Sequence, residues 1–272
     1  MEDINKNTKR ILNFVNQIDI DSIKRLKETG NKSEAIYNLF KANIKSKNII
    51  LYFYGGGYFL PASKKQHELS NLMSNLLNID VMLINYPLAP KYMFPNNLIE
   101  TKKILSSISK NELSAYDNIF IIGESSGGNL ITSILMSGYS VPKCKGLVLL
   151  YPSLDYYKQD YPSKIKYQEY GLKKNIRDFY SQNYLMATEN KKDPLLSPIY
   201  SKNYCSLPKT CLHVAGLDPL KDESILFSKK LSQHGGDLKT IIHKNAIHNF
   251  FSFQIEPYFT NTLNSIKFFT DS

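Results

Sequence analysis

The sequence predicts a single α/β domain built on a mostly parallel, doubly wound sheet with helices on both faces. Six short apolar runs are spread along the chain, helix-like segments lie between many of them, and 42% of the 272 residues are hydrophobic. Continuous apolarity without strict alternation is typical of strands covered on both faces. A chain of this length buries one large core, and a strand–helix rhythm predicts right-handed crossovers in one sheet.

The predicted strands are the apolar runs themselves. They comprise residues 48–54, 80–86, 118–123, 146–152, 210–216 and 238–244, with residues 34–42 as a candidate extra strand.

Amphipathic or helix-compatible segments follow most of these strands. The predicted helices comprise residues 63–78, 95–109, 126–138, 221–236 and 256–272. Ser63 is placed as an N-cap, Pro95 suits a first helical turn, and the glycine pair at 235–236 suits a helix end.

Two regions depart from this rhythm. Residues 152–209 are Tyr-rich and polar, with one helical piece near 172–186, and they are too long for a simple connection. We therefore expect residues 152–209 to cover another part of the molecule. The first forty residues are predicted to be helical and peripheral.

Charge does not predict a nucleic-acid partner. The formal net charge is +10, but only three of the 34 basic residues are arginine, the better phosphate ligand. The lysines are scattered, with no block of five like charges. A solvated basic surface is the expected outcome.

The remaining composition favours a cytoplasmic protein. Cys144, Cys205 and Cys211 show no CxxC spacing, so we expect buried thiols and neither a disulfide framework nor a metal site. The first residues lack the apolar core of a secretory signal, and no apolar run approaches the ~18 residues of a spanning helix.

The stretch Gly-Glu-Ser-Ser-Gly-Gly, residues 123–128, joins a predicted strand to a predicted helix. A tight turn of this kind forces its central residue to positive φ and favours glycine two positions before and after it. Gly123 and Gly127 satisfy that rule for Ser125, whereas Ser126 has Glu124 two positions before it. Ser125 is therefore the candidate nucleophile, against the alternative of a glycine-rich turn with incidental serines.

A serine nucleophile needs a general base, and histidine titrates in the right range. The chain has five histidines. His67 falls in a helix, His213 and His243 inside predicted strands, and His234 at a helix C-terminus, so structural roles are expected for these four. His248 follows the last strand and is the candidate base.

An acid should lie between serine and histidine, at a strand end. Asp218 follows the predicted strand 210–216 and is the candidate that orients the imidazole. Asp222 and Glu223 are rivals, which we expect instead in the first turn of a helix.

The first apolar run is followed directly by three glycines, Gly55, Gly56 and Gly57. A loop of this kind can present backbone amides to a developing oxyanion. A phosphate-binding loop is the alternative, but no Gly-Lys-Ser/Thr follows. Plain loop glycines remain a further alternative.

Taken together, these motifs resemble the hormone-sensitive-lipase-like family of α/β hydrolases, which includes bacterial carboxylesterases and acetyl esterases. The resemblance runs in order from about residue 48 to the C-terminus. The matching blocks are YGGGY, YPLAPKYMFP, GESSGGN, LLYPSLD, DPLLSPIY and GLDPLKDE.

The resemblance implies an α/β-hydrolase fold with Ser125, Asp218 and His248 as the catalytic triad. It implies an oxyanion hole made by the backbone amides of Gly56, Gly57 and Ser126. It also implies one domain over residues 1–272, with residues 1–40 and 152–209 forming a cap over an acyl pocket.

The resemblance has departures. Tyr54 stands where the family has histidine, Pro87 where it has arginine, Lys91 where it has glutamate, and Glu124 where it has aspartate. The change at Tyr54 falls on a residue that shapes the oxyanion loop, so it bears on geometry and rate.

The expected function is hydrolysis of short-chain carboxylic esters through an acyl-enzyme intermediate, with no cofactor, no metal and a small-molecule ester as substrate. A homodimer is left open. The alternatives are a non-catalytic binding protein on the same fold, or an amidase, peptidase or deacetylase of acylated sugars. Phe250 and Phe251 are candidates for an aromatic pocket lining or for packing.

Overall fold

The strands form one sheet. The structure, a computed structural model, describes residues 4–29, 35–186 and 190–271. Within them the strands are β1 (Tyr37–Phe40), β2 (Asn48–Phe53), β3 (Asp80–Ile84), β4 (Asn118–Glu124), β5 (Cys144–Leu150), β6 (Thr210–Leu217) and β7 (Leu238–Ile247).

The sheet has seven strands in the order β1-β3-β2-β4-β5-β6-β7. Only the edge pair β1–β3 is antiparallel, and every other neighbouring pair is parallel. The predicted fold class and all six predicted strands are confirmed. Residues 34–42 contain the extra strand as Tyr37–Phe40, although residue 34 lies outside the described part of the chain.

Helices pack on the sheet or lie above its carboxyl edge. They are α1 (Lys6–Asn16), α2 (Ile20–Thr29), α3 (Lys64–Leu77), α4 (Asn96–Lys110), α5 (Ser125–Met136), α6 (Pro162–Lys166), α7 (Lys174–Tyr184), α8 (Lys221–Gln233) and α9 (Tyr258–Asp271).

The five predicted helices are present within a few residues of their expected ends. The helical piece near 172–186 is α7, whereas α6 was not predicted because its five residues are too few for a periodic signal. Residues 1–3, 30–34, 187–189 and 272, on which parts of the predicted cap and of the last helix fall, lie outside the described residues.

Local sequence explains where α3 begins. The side chain of Ser63 accepts a hydrogen bond from the amide of Lys65, and Gln66 reaches back to the Ser63 amide at 3.0 Å. This reciprocal arrangement satisfies amides that the first turn of a helix leaves unpaired. The predicted N-cap is therefore confirmed.

The central strands explain why the apolar runs lack alternation. Every residue of β3 and β6 is buried, as are five of the six residues of β2. Parallel strands covered by helices on both faces bury side chains of both orientations. The carboxyl ends of β2, β4, β5 and β6 therefore meet at one edge, from which the functional candidates project.

The cysteines correct one expectation. All three are free thiols, but only Cys211 is buried. Cys144 is partly buried, and Cys205 is exposed because it lies on a short 3₁₀ helix, Tyr204–Ser206, at the surface. Among the described residues, no helix is long and apolar enough to cross a membrane.

Two histidines are buried together in the sheet, as expected for structural residues. His213 on β6 and His243 on β7 stack with ring centroids 5.3 Å apart, and Nδ1 of His213 lies 3.0 Å from Nε2 of His243. Burial lowers the pKa of both rings, and the neighbouring ring lowers that of His213 further. Both rings are therefore neutral in the folded protein at neutral pH.

This pair predicts a loss of stability in acid. Below about pH 6.5 the unfolded chain protonates both rings, whereas the folded protein resists protonation down to about 4, the pKa of buried His243. The free energy of unfolding should therefore fall with pH in this window, by at most about 1.4 kcal/mol per pH unit for each histidine. Urea unfolding of the wild type and of His213→Gln between pH 7 and 5 measures the effect. The variant should show the shallower pH dependence, and parallel curves would contradict the assignment.

Candidate active site

Ser125 stands at the sharpest turn of the chain, between the end of β4 and the first turn of α5. Its backbone is left-handed, with φ of +51°, as its glycine neighbours predict. A Cβ on Gly127 would lie 2.3 Å from the carbonyl oxygen of Phe53, and one on Gly123 would lie 2.7 Å from the Cα of Gly128. The helix can approach the strands this closely only without those side chains, so the geometry singles out Ser125 rather than Ser126.

Three candidate residues from remote parts of the chain form one hydrogen-bonded line. Oγ of Ser125 lies 3.1 Å from Nε2 of His248, and Nδ1 of His248 lies 2.7 Å from Oδ2 of Asp218. His248 and Asp218 are both buried, at 2% and 1% exposure. A proton on Nδ1 facing the carboxylate leaves Nε2 as the acceptor for the serine hydroxyl. This is the arrangement in which an imidazole removes a serine proton.

Asp218 is held in place by its own loop. Its second oxygen, Oδ1, accepts the amide of Leu220 at 2.9 Å. The two rival acids are engaged elsewhere. Asp222 accepts the amide of Ser163 at 2.8 Å, and buried Glu223 accepts the amide of Leu154 at 2.7 Å while pairing with Lys164 at 3.0 Å. Of the three acids, only Asp218 meets the histidine.

His67 and His234, which are not buried, make structural contacts. His67 on α3 contacts Asn38 at 3.2 Å, and His234 at the end of α8 contacts the carbonyl of Lys230 at 2.7 Å. Neither of them is hydrogen-bonded to Ser125. Of the histidines compared, the structure brings His248, which follows β7, to Ser125.

The glycine loop, residues 55–60, passes directly beside the serine. A Cβ on Gly55 would lie 3.2 Å from the Cβ of Ser125, and both Gly56 and Gly57 have positive φ, at +149° and +61°. Gly56, Gly57 and Ser126 all line the same cavity as Ser125. The three residues of the predicted oxyanion hole therefore lie around the same cavity as the candidate nucleophile.

Tyr54, which stands where the family has histidine, directly precedes this loop. Its ring stacks on Tyr86 with centroids 4.7 Å apart, and the Tyr86 hydroxyl donates to the carbonyl of Tyr54 at 2.7 Å. The stacked pair is buried in the core at the residue that precedes the loop. Lys91, another departure, lies with its Nζ 5.2 Å from the ring of Tyr92.

Glu124, adjacent to Ser125, is a buried carboxylate to which the sequence analysis assigned no role. Its oxygens accept hydrogen bonds from the hydroxyls of Tyr52, Tyr151 and Ser252, the bond from Tyr151 being 2.9 Å long. Ser252 belongs to the loop that carries His248, and the Tyr151 ring lies edge-on to the imidazole at 5.0 Å. The signal was present in the sequence, because a charged residue at the end of a buried strand needs polar partners.

A cavity of about 830 Å³ opens above Ser125 and His248. One wall is apolar and comes from α1, α2 and α7, including Val15, Ile23 and Ile176. Phe253, rather than Phe250 or Phe251, contributes the phenylalanine of the histidine loop, because the latter two are fully buried in the main core. Among the described residues, no cluster of three or more His, Cys, Asp or Glu side chains is arranged to hold a metal ion.

A protein-family profile described as "alpha/beta hydrolase fold" matches residues 50–252. The chain belongs to this α/β-hydrolase family. The match covers the glycine loop, the nucleophile turn and the histidine, and the resemblance drawn from the sequence motifs is confirmed.

The chain is also similar in sequence to proteins named as hydrolases. A protein of Acanthamoeba polyphaga mimivirus, provisionally named as an α/β hydrolase, is 29% identical over 220 residues, 77% of this chain and 63% of its own length. An arylesterase of Saccharolobus solfataricus is 26% identical over 220 residues, 75% of this chain and 69% of its own. The chain thus spans about two thirds of these relatives.

Solved structures share the fold over nearly the whole chain. An esterase of Pyrobaculum calidifontis superposes with a TM-score of 0.80 at 20% identity, covering 97% of each chain. At this identity the likeness concerns the fold. The shared fold therefore extends beyond residues 50–252, the part of the chain that the family profile matches.

The left-handed backbone of Ser125 predicts that glycine at this position stabilises the fold more than alanine does. Ser125→Gly should be more stable than Ser125→Ala by about 1 kcal/mol, since glycine adopts positive φ without the steric cost that other residues carry. Alanine is the matched control, because it removes the same hydroxyl but keeps the Cβ. Urea unfolding of both variants measures the difference, and equal stabilities would show that the turn is unstrained.

Proposed function

We propose that this α/β hydrolase cleaves short-chain carboxylic esters through an acyl-enzyme intermediate, with Ser125, His248 and Asp218 as the catalytic triad. One observation carries the proposal. The serine hydroxyl, the imidazole and the carboxylate form a continuous hydrogen-bonded line at the base of an open cavity, with contacts of 3.1 and 2.7 Å.

Each residue has a defined step in the first half-reaction. His248 accepts the hydroxyl proton on Nε2 as Oγ of Ser125 bonds to the ester carbonyl carbon. Asp218, held at Nδ1, stabilises the imidazolium that forms. The imidazolium then donates the proton to the leaving alcohol, the C–O bond breaks, and the acyl group remains on Ser125.

The second half-reaction repeats these steps with water. His248 removes a proton from water, the hydroxide oxygen bonds to the acyl carbon, and the proton returns to Oγ as the acid leaves. In both halves the amides of Gly56, Gly57 and Ser126 would stabilise the tetrahedral oxyanion. The α5 N-terminus, directed at the same point, adds a favourable dipole.

Relatives named for esterase activity support an ester as the substrate, as does the apolar wall of the cavity. The non-catalytic alternative is not favoured, because such a protein has no need to retain all three members of a hydrogen-bonded triad. An amidase, peptidase or sugar deacetylase would use the same residues with a different leaving group.

Three finer features are proposed with the activity. Residues 1–40 and 152–209 contribute a cap over the site, although Tyr37–Phe40 also joins the sheet as β1. A cytoplasmic location stays a prediction of the sequence, and a homodimer is left open.

The nucleophile assignment predicts which serine reacts. Ser125→Ala should abolish hydrolysis of p-nitrophenyl acetate and covalent labelling by a fluorophosphonate probe, because it removes the hydroxyl that lies 3.1 Å from Nε2 of His248. Ser126→Ala should still be labelled, since alanine keeps the backbone amide. Hydrolysis by Ser125→Ala at the wild-type rate would refute the assignment.

The acid assignment predicts a contrast between two neighbouring aspartates. Asp218→Asn should lower kcat by roughly 10³- to 10⁴-fold, because an amide cannot hold the Nδ1 proton toward itself as a carboxylate does. Asp222→Asn, four residues away in sequence, is the matched control, since its carboxylate accepts from Ser163 and not from His248. Steady-state kinetics on p-nitrophenyl acetate decide between them, and similar losses in both variants would contradict the role of Asp218.

A further inference from the structure

The glycine loop is in direct contact with α7. A Cβ on Gly57 would lie 2.3 to 2.5 Å from the Cγ, Cδ1 and Cδ2 atoms of Tyr180, so the tyrosine ring rests on the loop backbone itself. One helical turn later, Tyr184 stacks on Tyr58 with centroids 3.9 Å apart and planes 15° from parallel. One face of α7 therefore covers the loop at two consecutive residues.

The loop is also in direct contact with α2. Nζ of Lys27 donates to the carbonyl of Phe59 at 2.7 Å and to the carbonyl of Ala89 at 2.9 Å. The same ammonium lies 5.0 Å from the centroid of the Phe59 ring. Lys27 thus joins the glycine loop to the neighbouring segment around residue 89 through charge-assisted hydrogen bonds.

Phe59 packs with these helices rather than with the main core. It forms a small separate cluster with Ile23 of α2 and with Ile176 and Phe179 of α7, and its ring lies 5.1 Å from that of Phe179. The loop therefore shares its hydrophobic packing with the two helices. We call α2 and α7 the cap helices.

On its other side the loop is tied to the nucleophile helix. The Tyr58 hydroxyl donates to Oδ1 of Asn129, which lies one turn after Ser125 on α5, and the carbonyl of Tyr58 accepts the amide of Ala89 at 2.8 Å. The loop is thus held between the fixed body of the sheet and the cap helices.

We propose that the cap helices position the oxyanion amides, with Lys27 and Tyr180 as the positioning residues that hold the glycine loop. This inference rests on the proposed function. The cap helices then support transition-state stabilisation, in addition to forming a wall of the substrate cavity.

The physical reason lies in the loop's own composition. Three successive glycines give the backbone the widest conformational freedom, and two of them have positive φ. Oxyanion donors act only when preorganised at about 2.7 to 3.1 Å from the position of the developing charge. A loop that cannot fix its own backbone needs contacts from outside, and Lys27 and Tyr180 supply them from the cap side.

The test separates transition-state stabilisation from substrate binding. We would compare kcat and KM for p-nitrophenyl acetate with the inhibition constant of an aliphatic trifluoromethyl ketone, which forms a hemiketal oxyanion on the nucleophile. The variants are Lys27→Met and Tyr180→Leu, each with a conservative partner, Lys27→Arg and Tyr180→Phe. Lys24→Met, an exposed lysine on the same helix, is the matched surface control.

Lys27→Met and Tyr180→Leu should each lower kcat and weaken the ketone by a similar factor, on the order of 10-fold or more, with a smaller change in KM. The conservative variants should recover most of the loss, because arginine keeps a donor and phenylalanine keeps the ring. Lys24→Met should behave as wild type. Thermal unfolding identifies a variant that fails to fold, in which case the other position decides the test.

Three results overturn the inference. If KM rises while kcat and ketone affinity stay constant, the cap helices contribute to substrate binding alone. If the wild type hydrolyses esters and labels at Ser125 but both variants match Lys24→Met, the positioning role is absent while the proposed function stands. A wild type that neither hydrolyses esters nor labels at Ser125 would overturn both.

Discussion

The close approach of α5 to the carboxyl ends of the strands is the constraint on which the site depends. Gly127 lies against the carbonyl of Phe53 with no room for a side chain, and Gly123 lies equally close to Gly128. This contact holds Ser125 in a left-handed conformation and directs both its hydroxyl and the helix N-terminus toward the cavity. A looser turn would leave the hydroxyl without a fixed relation to the imidazole.

The second requirement is that loops from three different strands meet the serine. Glu124 contributes here as well as Asp218. Its carboxylate accepts hydrogen bonds from hydroxyls of β2, of the residue that follows β5 and of the loop that carries His248. The strand that ends next to Ser125 is therefore joined to the histidine loop. A buried carboxyl group with three hydrogen-bonded hydroxyls is a satisfied network, and such networks favour a single arrangement of their members. The turn and the histidine loop are thus coupled through one side chain.

The glycine loop completes the site and shows how the outer helices relate to chemistry. Its three glycines give its backbone wide conformational freedom, and Tyr180 of α7 lies directly against Gly57. In the proposed mechanism this loop carries the amides that meet the oxyanion. Because the cavity wall and the glycine loop share packing residues, substitutions that enlarge the pocket at α2 or α7 also change the packing of the loop.

Local periodicity and glycines at fixed offsets were sufficient to predict the mostly parallel sheet, the succession of its strands and of most helices along the chain, the left-handed turn and the choice of Ser125 over Ser126. The sequence by itself also narrowed the base and the acid to His248 and Asp218 through chain order and the family motifs. Only the tertiary structure decided that the imidazole, carboxylate and hydroxyl meet, that Cys205 is exposed, and that Phe253 rather than Phe250 lines the cavity. Tertiary structure alone placed Glu124, Lys27 and Tyr180, since their partners are remote along the chain and no local pattern records which buried groups meet.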